Sequence, residues 1–280
     1  MKVIDHHTCL NITMKKINKV KLFVNNNLKS RKAAEEIKEE LLNNKFVLVE
    51  EDFDLGIAVG GDGSFLRMVN NSNFNSNCYY VGINAGTLGF AQDVSLDEIK
   101  PFIKSLHKDK LNYEKIAVGE VEVLLKDNTA CNYNIINEIV IRNEELNTLH
   151  TNVYVENSLL EKYVGDGLLI ATSFGSTAYN LSFGGSIVYN TFDTLQITPI
   201  APLNNKSYRN LINSVIIPTK NKITIEPNTN DNNLLITIDG KNIFLNEVDK
   251  INVVINNKCI NIIRKSDYNF IEKINEKFIK

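Results

Sequence analysis

The segment Gly60-Gly61-Asp62-Gly63-Ser64 follows the apolar run Leu55 to Val59 and leads into the helix-like stretch Phe65-Leu66-Arg67-Met68-Val69. That order is strand, glycine-rich turn, helix. Glycines let a backbone approach a phosphate without Cβ interference, and a helix start offers unpaired N–H groups with a partial positive charge. A carboxylate repels phosphates, so an aspartate inside such a turn points to handling of a metal ion or to removal of a proton from a hydroxyl nucleophile. We read Asp62 as a kinase base; the bland alternative is an Asx-turn residue that satisfies its own loop.

A second stretch with chemical capacity runs from Gly165-Asp166-Gly167 through Leu168 to Thr172 and on to Ser173-Phe174-Gly175-Ser176-Thr177-Ala178-Tyr179-Asn180-Leu181-Ser182. An apolar strand there ends at a hydroxyl-rich turn that opens a short helix around Thr177 to Ser182, with Gly184-Gly185 as its stop. Hydroxyl groups at a helix start can hydrogen-bond a ribose or an amide, though the same residues also cap and pack a helix. Asp166 could be a turn former before Gly167, the lesser of its two readings. Asn137-Glu138 is the third feature, two polar residues inside the apolar run Ile135 to Ile141. In a strand they need buried partners or a ligand, unless they mark a solvated edge or bulge. Asp239-Gly240 reads as a hairpin turn with an even chance of being only that. Arg67 is explained as well by a surface helix as by the phosphate turn, and His107 and His150 have no motif partner.

The elements that must position these residues fall into two textures. Val20 to Val24 reads as a strand, Ser30 to Leu42 as a helix with Ala33, Ile37 and Leu41 on one stripe, and Phe46 to Val49 as a second strand. Tyr79 to Ile83 enters another turn at Asn84-Ala85-Gly86. This alternation predicts a parallel sheet flanked by helices, with ligands beyond the carboxyl ends of its strands. Ser95 with Glu98 forms a capping box, while Pro101 disturbs the register of the helix that follows. After about Lys110 short apolar runs (Ala117 to Leu125, Asn152 to Val155, Ile223 to Ile225, Leu234 to Ile238, Ile243 to Leu245, Asn252 to Ile255) alternate with turn residues. These predict a β-rich C-terminal domain. Tyr268, Ile271, Ile274 and Phe278 recur at helical spacing, so a C-terminal helix packing back on the first domain is expected.

The expected division is an α/β nucleotide-binding domain over residues 14–110 with 266–280, and a β-rich domain over 111–265. Met14 stands just before the first strand and is the expected effective start, which leaves 1–13, with His6 and His7, as a disordered or non-native tail. A chain of 280 residues with net charge −2 carries no global basic field for nucleic acid. The four cysteines, Cys9, Cys78, Cys131 and Cys259, show no paired metal-ligand spacing. No apolar run approaches the roughly 20 residues that span a bilayer, so a cytoplasmic protein is expected.

Taken together and in order, Gly60-Gly61-Asp62-Gly63, Asn84-Ala85-Gly86-Thr87-Leu88-Gly89-Phe90, Asn137-Glu138, Asp166-Gly167 and Gly175-Ser176-Thr177-Ala178-Tyr179 resemble the NAD kinase family. The resemblance implies homo-oligomers that transfer the γ-phosphoryl group of ATP to the 2′-hydroxyl of NAD's adenosine ribose. It implies Asp62 as the base or as the group that orients the ribose hydroxyl, with Gly60, Gly61 and Gly63 bordering the phosphate path and Asn84 and Gly86 lining the cleft. It assigns NAD to Asn137 and Glu138, to Asp166, to Thr177, Ala178, Tyr179, Asn180, Leu181 and Ser182, and to a pocket wall at Ala201. A divalent cation, magnesium, is expected to arrive with ATP. The chain departs from the family's habit at Ser173-Phe174, Val164 and Ser186. Among other classes, a diacylglycerol-type lipid kinase shares only the first turn. A dinucleotide oxidoreductase needs a small residue where Leu66 stands. A non-catalytic NAD sensor would have no use for Asp62.

Overall fold

The computed structural model describes residues 16–86, 89–107, 111–228 and 233–280. His6, His7, Met14, Thr87, Leu88 and Lys110 lie outside them. The chain divides into two compact units: the residues up to Ile116 together with Cys259–Lys280, and Ala117–Lys258.

The first unit runs β1 (Lys19–Val24), α1 (Leu28–Asn43), β2 (Val47–Leu48), β3 (Leu55–Gly60), α2 (Asp62–Asn71), β4 (Tyr79–Asn84), β5 (Gln92–Ser95) and α3 (Ile99–Ser105). Its strands are parallel, in the order β2-β1-β3-β4 with β5 beside β4. Every residue of β3 is buried, as expected for a strand covered on both faces. Helix α1 starts where the Asn27 side chain accepts from the N–H of Ser30 at 2.8 Å, and its stripe Ala33, Ile37, Leu41 is buried. The Ser95–Glu98 capping box forms, and it opens a 3₁₀ turn over Leu96–Glu98 that runs straight into α3. Pro101 fits because it sits in the first turn of α3, where an N–H has no intrahelical partner to lose.

The second unit is antiparallel. It takes in most of β6 (Tyr113–Leu125), then β7 (Ala130–Ile135), β8 (Glu138–Asn143), β9 (Leu149–Val155), β10 (Ser158–Thr172), α4 (Tyr179–Ser182), β11 (Thr194–Pro202), β12 (Val215–Pro218), β13 (Ile223–Pro227), β14 (Leu234–Ile238), β15 (Lys241–Leu245) and most of β16 (Val248–Ile263). The ladder reads β15-β14-β8-β10-β9-β13-β16, and β11 lies on the other edge of β10. Leu168, Ile170, Ile139, Ile141, Val153 and Ile225 build its core. One expectation needs correction here: Ile135 to Ile141 is not one strand. β7 ends at Ile135 and β8 begins at Glu138, so Ile136 and Asn137 form a link whose N–H groups go to the Asp239 carboxylate instead of a ladder.

The chain ends in α5 (Phe270–Phe278), which belongs to the first unit and packs there as the sequence predicts. Its buried face differs from the predicted apolar stripe. Tyr268 precedes the helix and Ile271 is 59% exposed, whereas Phe270 and Lys273 are buried. The cause is ionic. Lys273 Nζ bonds the Asp93 carboxylate and, at 3.0 Å, the Gln92 carbonyl, while Arg264 joins Asp93 at 2.8 Å to Glu114 at 2.6 Å. Buried charges demand such pairing, and satisfying it sets the rotation of the helix.

Candidate active site

In the first unit the glycine turn lies at the carboxyl end of β3. Gly61 caps α2 in an extended conformation, and Asp62 is the first residue of the helix, where the sequence placed it in the preceding turn. A Cβ on Gly60, whose φ is +153°, would stand 2.5 Å from Ser64 Oγ and 3.0 Å from Asn25 Cβ, so any other residue would be strained there, while Gly61 and Gly86 face open space. Gly63 is crowded only by Arg67 Nη1, at 3.7 Å from a built Cβ. The register pairs Gly60 with Asn84, and the Asn84 Oδ1 accepts from the N–H of Gly86 at 2.8 Å. Gly60, Gly61, Asp62, Gly63, Asn84 and Gly86 are thereby gathered at the ends of two neighbouring strands.

The Asp62 carboxylate is held from the loop that leads to β5. Its Oδ1 accepts from the N–H of Ala91 at 2.9 Å and its Oδ2 from that of Phe90 at 3.1 Å. Lys277 Nζ reaches Oδ2 at 3.2 Å from the last turn of α5. Gly89 leaves the space this needs: a Cβ there would meet Asp62 Oδ1 at 2.2 Å and Gln92 Oε1 at 2.1 Å. The side chain of Asp62 is 37% exposed, so one side of the carboxylate remains open.

In the second unit the link 136–137, the start of β8 and the hydroxyl-rich loop pack on one another. Asn137's carbonyl accepts from the N–H of Thr172 at 2.9 Å, and a Cβ on Gly175 would lie 2.1 Å from that same oxygen. Beyond Thr172 the chain makes a 3₁₀ turn over Phe174–Thr177 before α4, and Gly184 ends the helix with φ of +77°. Asn180 faces inward: its Nδ2 donates to the Ser176 carbonyl at 3.2 Å and its Oδ1 accepts from Thr198 Oγ1 at 2.6 Å. Thr177 is buried, Ala178 and Leu181 are half-buried, and Tyr179 and Ser182 are exposed. Tyr179's hydroxyl accepts from Arg142 Nη2 at 3.3 Å, and its ring meets Phe183 edge-on.

Asp239 does more than turn a hairpin. With φ of +45° at Asp239 and +82° at Gly240 it makes the two-residue turn between β14 and β15. Its carboxylate accepts from the N–H groups of Ile136 at 2.9 Å, Asn137 at 2.8 Å and Glu138 at 3.2 Å. Glu138 is buried beside it, with an Oε2 that has no partner among the described residues. Burial and then the charge of Asp239 push Glu138 up to about 8, against one backbone N–H from Tyr179. Burial also lifts Asp239, to about 6, but its three N–H donors work the other way. At neutral pH Asp239 is therefore the ionised member and Glu138 the protonated one.

Asp166 and Ala201 stand apart from this group. Asp166 and Ala201 lie between the pairs Gly165–Pro202 and Gly167–Ile200 at one end of the β10–β11 ladder, and Ala171 stands opposite Glu138 near the carboxyl end of β10. Asp166 and Ala171 are five residue steps apart along β10, about 16 Å, and the odd number of steps puts Asp166 and Glu138 on opposite faces. Sequence reasoning missed Lys277 altogether and underweighted Asp239; the Asp-Gly pair was visible, its three N–H partners a hundred residues away were not.

Comparison with known proteins shows what the chain is similar to. Residues 136–265 match the ATP-NAD kinase C-terminal domain. The NAD kinase of Finegoldia magna is 34% identical over 250 residues, 86% of this chain and 91% of that protein. The NAD kinase of Streptococcus gordonii is 30% identical over 263 residues, 93% and 95% of the two chains. The fold is shared with a yeast NADH kinase solved with NADH (TM-score 0.81, 23% identity, 94% of this chain and 87% of that one) and with an Archaeoglobus fulgidus NAD kinase solved with ATP (0.71, 20%, 92% and 98%). With relatives at this identity matched along nearly their whole length, the chain belongs to the NAD kinase family.

Proposed function

We propose that this protein transfers the γ-phosphoryl group of ATP to the 2′-hydroxyl of the adenosine ribose of NAD, giving NADP and ADP. The observation that carries the reading is the setting of Asp62, a half-open carboxylate fixed by two backbone N–H groups behind a glycine turn with free space beside it. An Asp62 oxygen takes the proton of the 2′-hydroxyl, the ribose oxygen attacks the γ-phosphorus, and the bond to the bridging oxygen breaks to release ADP. Such base assistance contributes about 10² to 10⁴ in rate, with positioning supplying the rest. Gly60, Gly61 and Gly63 border the phosphates, and Asn84 and Gly86 line the cleft.

Asn137 and Glu138 hold NAD in this reading. The buried Glu138 oxygen without a partner supports it, since a ribose hydroxyl is a group that would satisfy it. Tyr179 and Ser182 offer exposed polar groups to the dinucleotide, Thr177, Ala178 and Leu181 shape the wall, and Asn180 acts from within by fixing the loop. Asp166 and Ala201 face a different side of β10 from Glu138, which fits a homo-oligomer in which one copy's Asp166 serves another copy's dinucleotide. Exposed apolar side chains at Phe192, Leu211, Ile212 and Ile216 supply surface for such self-association. Among the described residues no three His, Cys, Asp or Glu side chains converge, and the Asp62 oxygens are engaged. In this reading a magnesium ion would be held by the ATP phosphates and supply charge neutralisation there.

We assign residues 14–110 with 266–280 to phosphate handling and 111–265 to NAD. Among the described residues no helix is long and apolar enough to cross a membrane, and Cys78, Cys131 and Cys259 are thiols rather than disulfides. Both fit a cytoplasmic enzyme. The purified chain given NAD, ATP and magnesium should form NADP, read by a coupled NADP-specific dehydrogenase. Binding of NAD with no NADP formed would refute the kinase reading in favour of a sensor.

A further inference from the structure

The geometry points to Lys277 as the residue that positions Asp62 for proton removal, an inference that rests on the base role proposed for Asp62. Two backbone N–H groups fix the carboxylate from one side, one on each oxygen. They restrain its plane but supply no full charge. Lys277 supplies the charge, 3.2 Å from Oδ2. The other cations nearby bond other groups: Lys273 and Arg264 share Asp93, Lys273 acting on Asp62 only through space, and Arg67 donates to Ser64 Oγ at 3.1 Å on the first turns of α2. The Lys277 ammonium is itself guided by aromatic faces, 4.9 Å above the ring of Phe90 and 5.8 Å from that of Phe278, and those two rings stack at 5.5 Å. Phe90 thus contributes twice, through an N–H to Asp62 and a π face to the lysine that meets it.

An ion pair with side chains 24% and 37% exposed contributes little to folding. Its value lies in the reaction. A triphosphate entering the glycine turn brings several negative charges towards Asp62, and repulsion would drive the carboxylate to rotate away before the ribose hydroxyl arrives. The ammonium opposes that rotation and needs no contact with the substrates. Phe270, Lys273 and the Asn269 cap, which accepts from Ile271 and Glu272 N–H at 2.9 and 3.3 Å, anchor α5 independently of residue 277.

The test compares Lys277→Ala, Lys277→Arg and Asp62→Asn in steady-state NADP formation. Lys277→Ala should lower kcat by about tenfold or more, within the range that a misplaced reacting group costs, with KM for NAD and ATP within about twofold. Lys277→Arg should recover most of the rate, and ethylammonium should raise the rate of the alanine variant while tetramethylammonium does not. Unchanged kcat, a loss confined to KM for ATP, or an arginine variant no better than alanine would overturn the inference. Full activity in Asp62→Asn would instead remove the base reading on which it rests.

Discussion

Two carboxylate sites in this chain solve opposite problems with the same side-chain chemistry. Asp62 keeps a carboxylate partly open to water and holds it with two N–H groups and an ammonium. Glu138 and Asp239 sit together in the interior, where one is stabilised by three N–H groups and the other is left to carry its proton. In the proposed reaction the first arrangement serves to remove a proton from a ligand; in the second, an ionised Asp239 holds the backbone and Glu138 offers a fixed, protonated carboxyl. Environment, not residue type, separates the roles.

The comparison is sharpest when the same acid-to-amide change is made in both places. Asp62→Asn should lower kcat at least about a hundredfold and leave the denaturation midpoint near that of the parent, because the amide oxygen can still accept an N–H. Equal activity would erase the distinction. Gly89→Ala comes next: its methyl group would occupy the space of the Asp62 and Gln92 oxygens, and a 1 Å displacement near a reacting group costs up to about a hundredfold. We expect a loss in the tens, in kcat more than in KM. On the other side, Asp239→Ala strands three buried N–H donors and should cost roughly 2 to 3 kcal/mol in urea unfolding, with NAD affinity reduced as the 136–138 link loosens.

The smallest effect belongs to Glu138→Gln, and it is a matter of slope. Glu138 is raised from 4.5 to about 8 in the folded chain, so the folded protein keeps a proton that the unfolded chain has lost. Stability therefore falls as pH rises from about 4.5 to 8. Asp239, raised from 3.8 to about 6, adds the same sign over a lower window. The glutamine variant should show a flatter dependence above pH 6, measured as urea midpoints at pH 6, 7 and 8. A parent protein that grows more stable over that range would refute the assignment of the proton to Glu138.

Much of this was legible before any coordinates. The alternation around Leu55–Val59 and Tyr79–Ile83 reported a parallel sheet because buried parallel strands leave continuous apolar runs. The stripe Ala33, Ile37, Leu41 reported α1 because nothing ionic competes for its inner face. The α5 stripe misled because a lysine pairs with a buried aspartate 180 residues earlier in the chain, and periodicity rules count lysine as a surface residue. Ile135 to Ile141 looked continuous because apolar residues flank the break on both sides, while the group that makes it, Asp239, arrives from another hairpin. The motif glycines were readable as a turn at the end of a strand; that Gly89 leaves room for the Asp62 oxygens needs the approach of two segments to be seen.

The first unit is assembled from two stretches of chain separated by the whole of the second. The edge of β4 is shared: Gly82, Ile83 and Asn84 pair with β5, but Tyr79 and Tyr80 pair with Asn261 and Ile262 of β16. During vectorial synthesis the first hundred residues emerge with that half-edge bare and with Asp93 facing neither Arg264 nor Lys273. An unpaired strand edge is a template for wrong pairing with another chain. A nascent chain that ends anywhere between residues 117 and 258 would carry that edge, so incomplete copies of this protein are the ones exposed to mispairing.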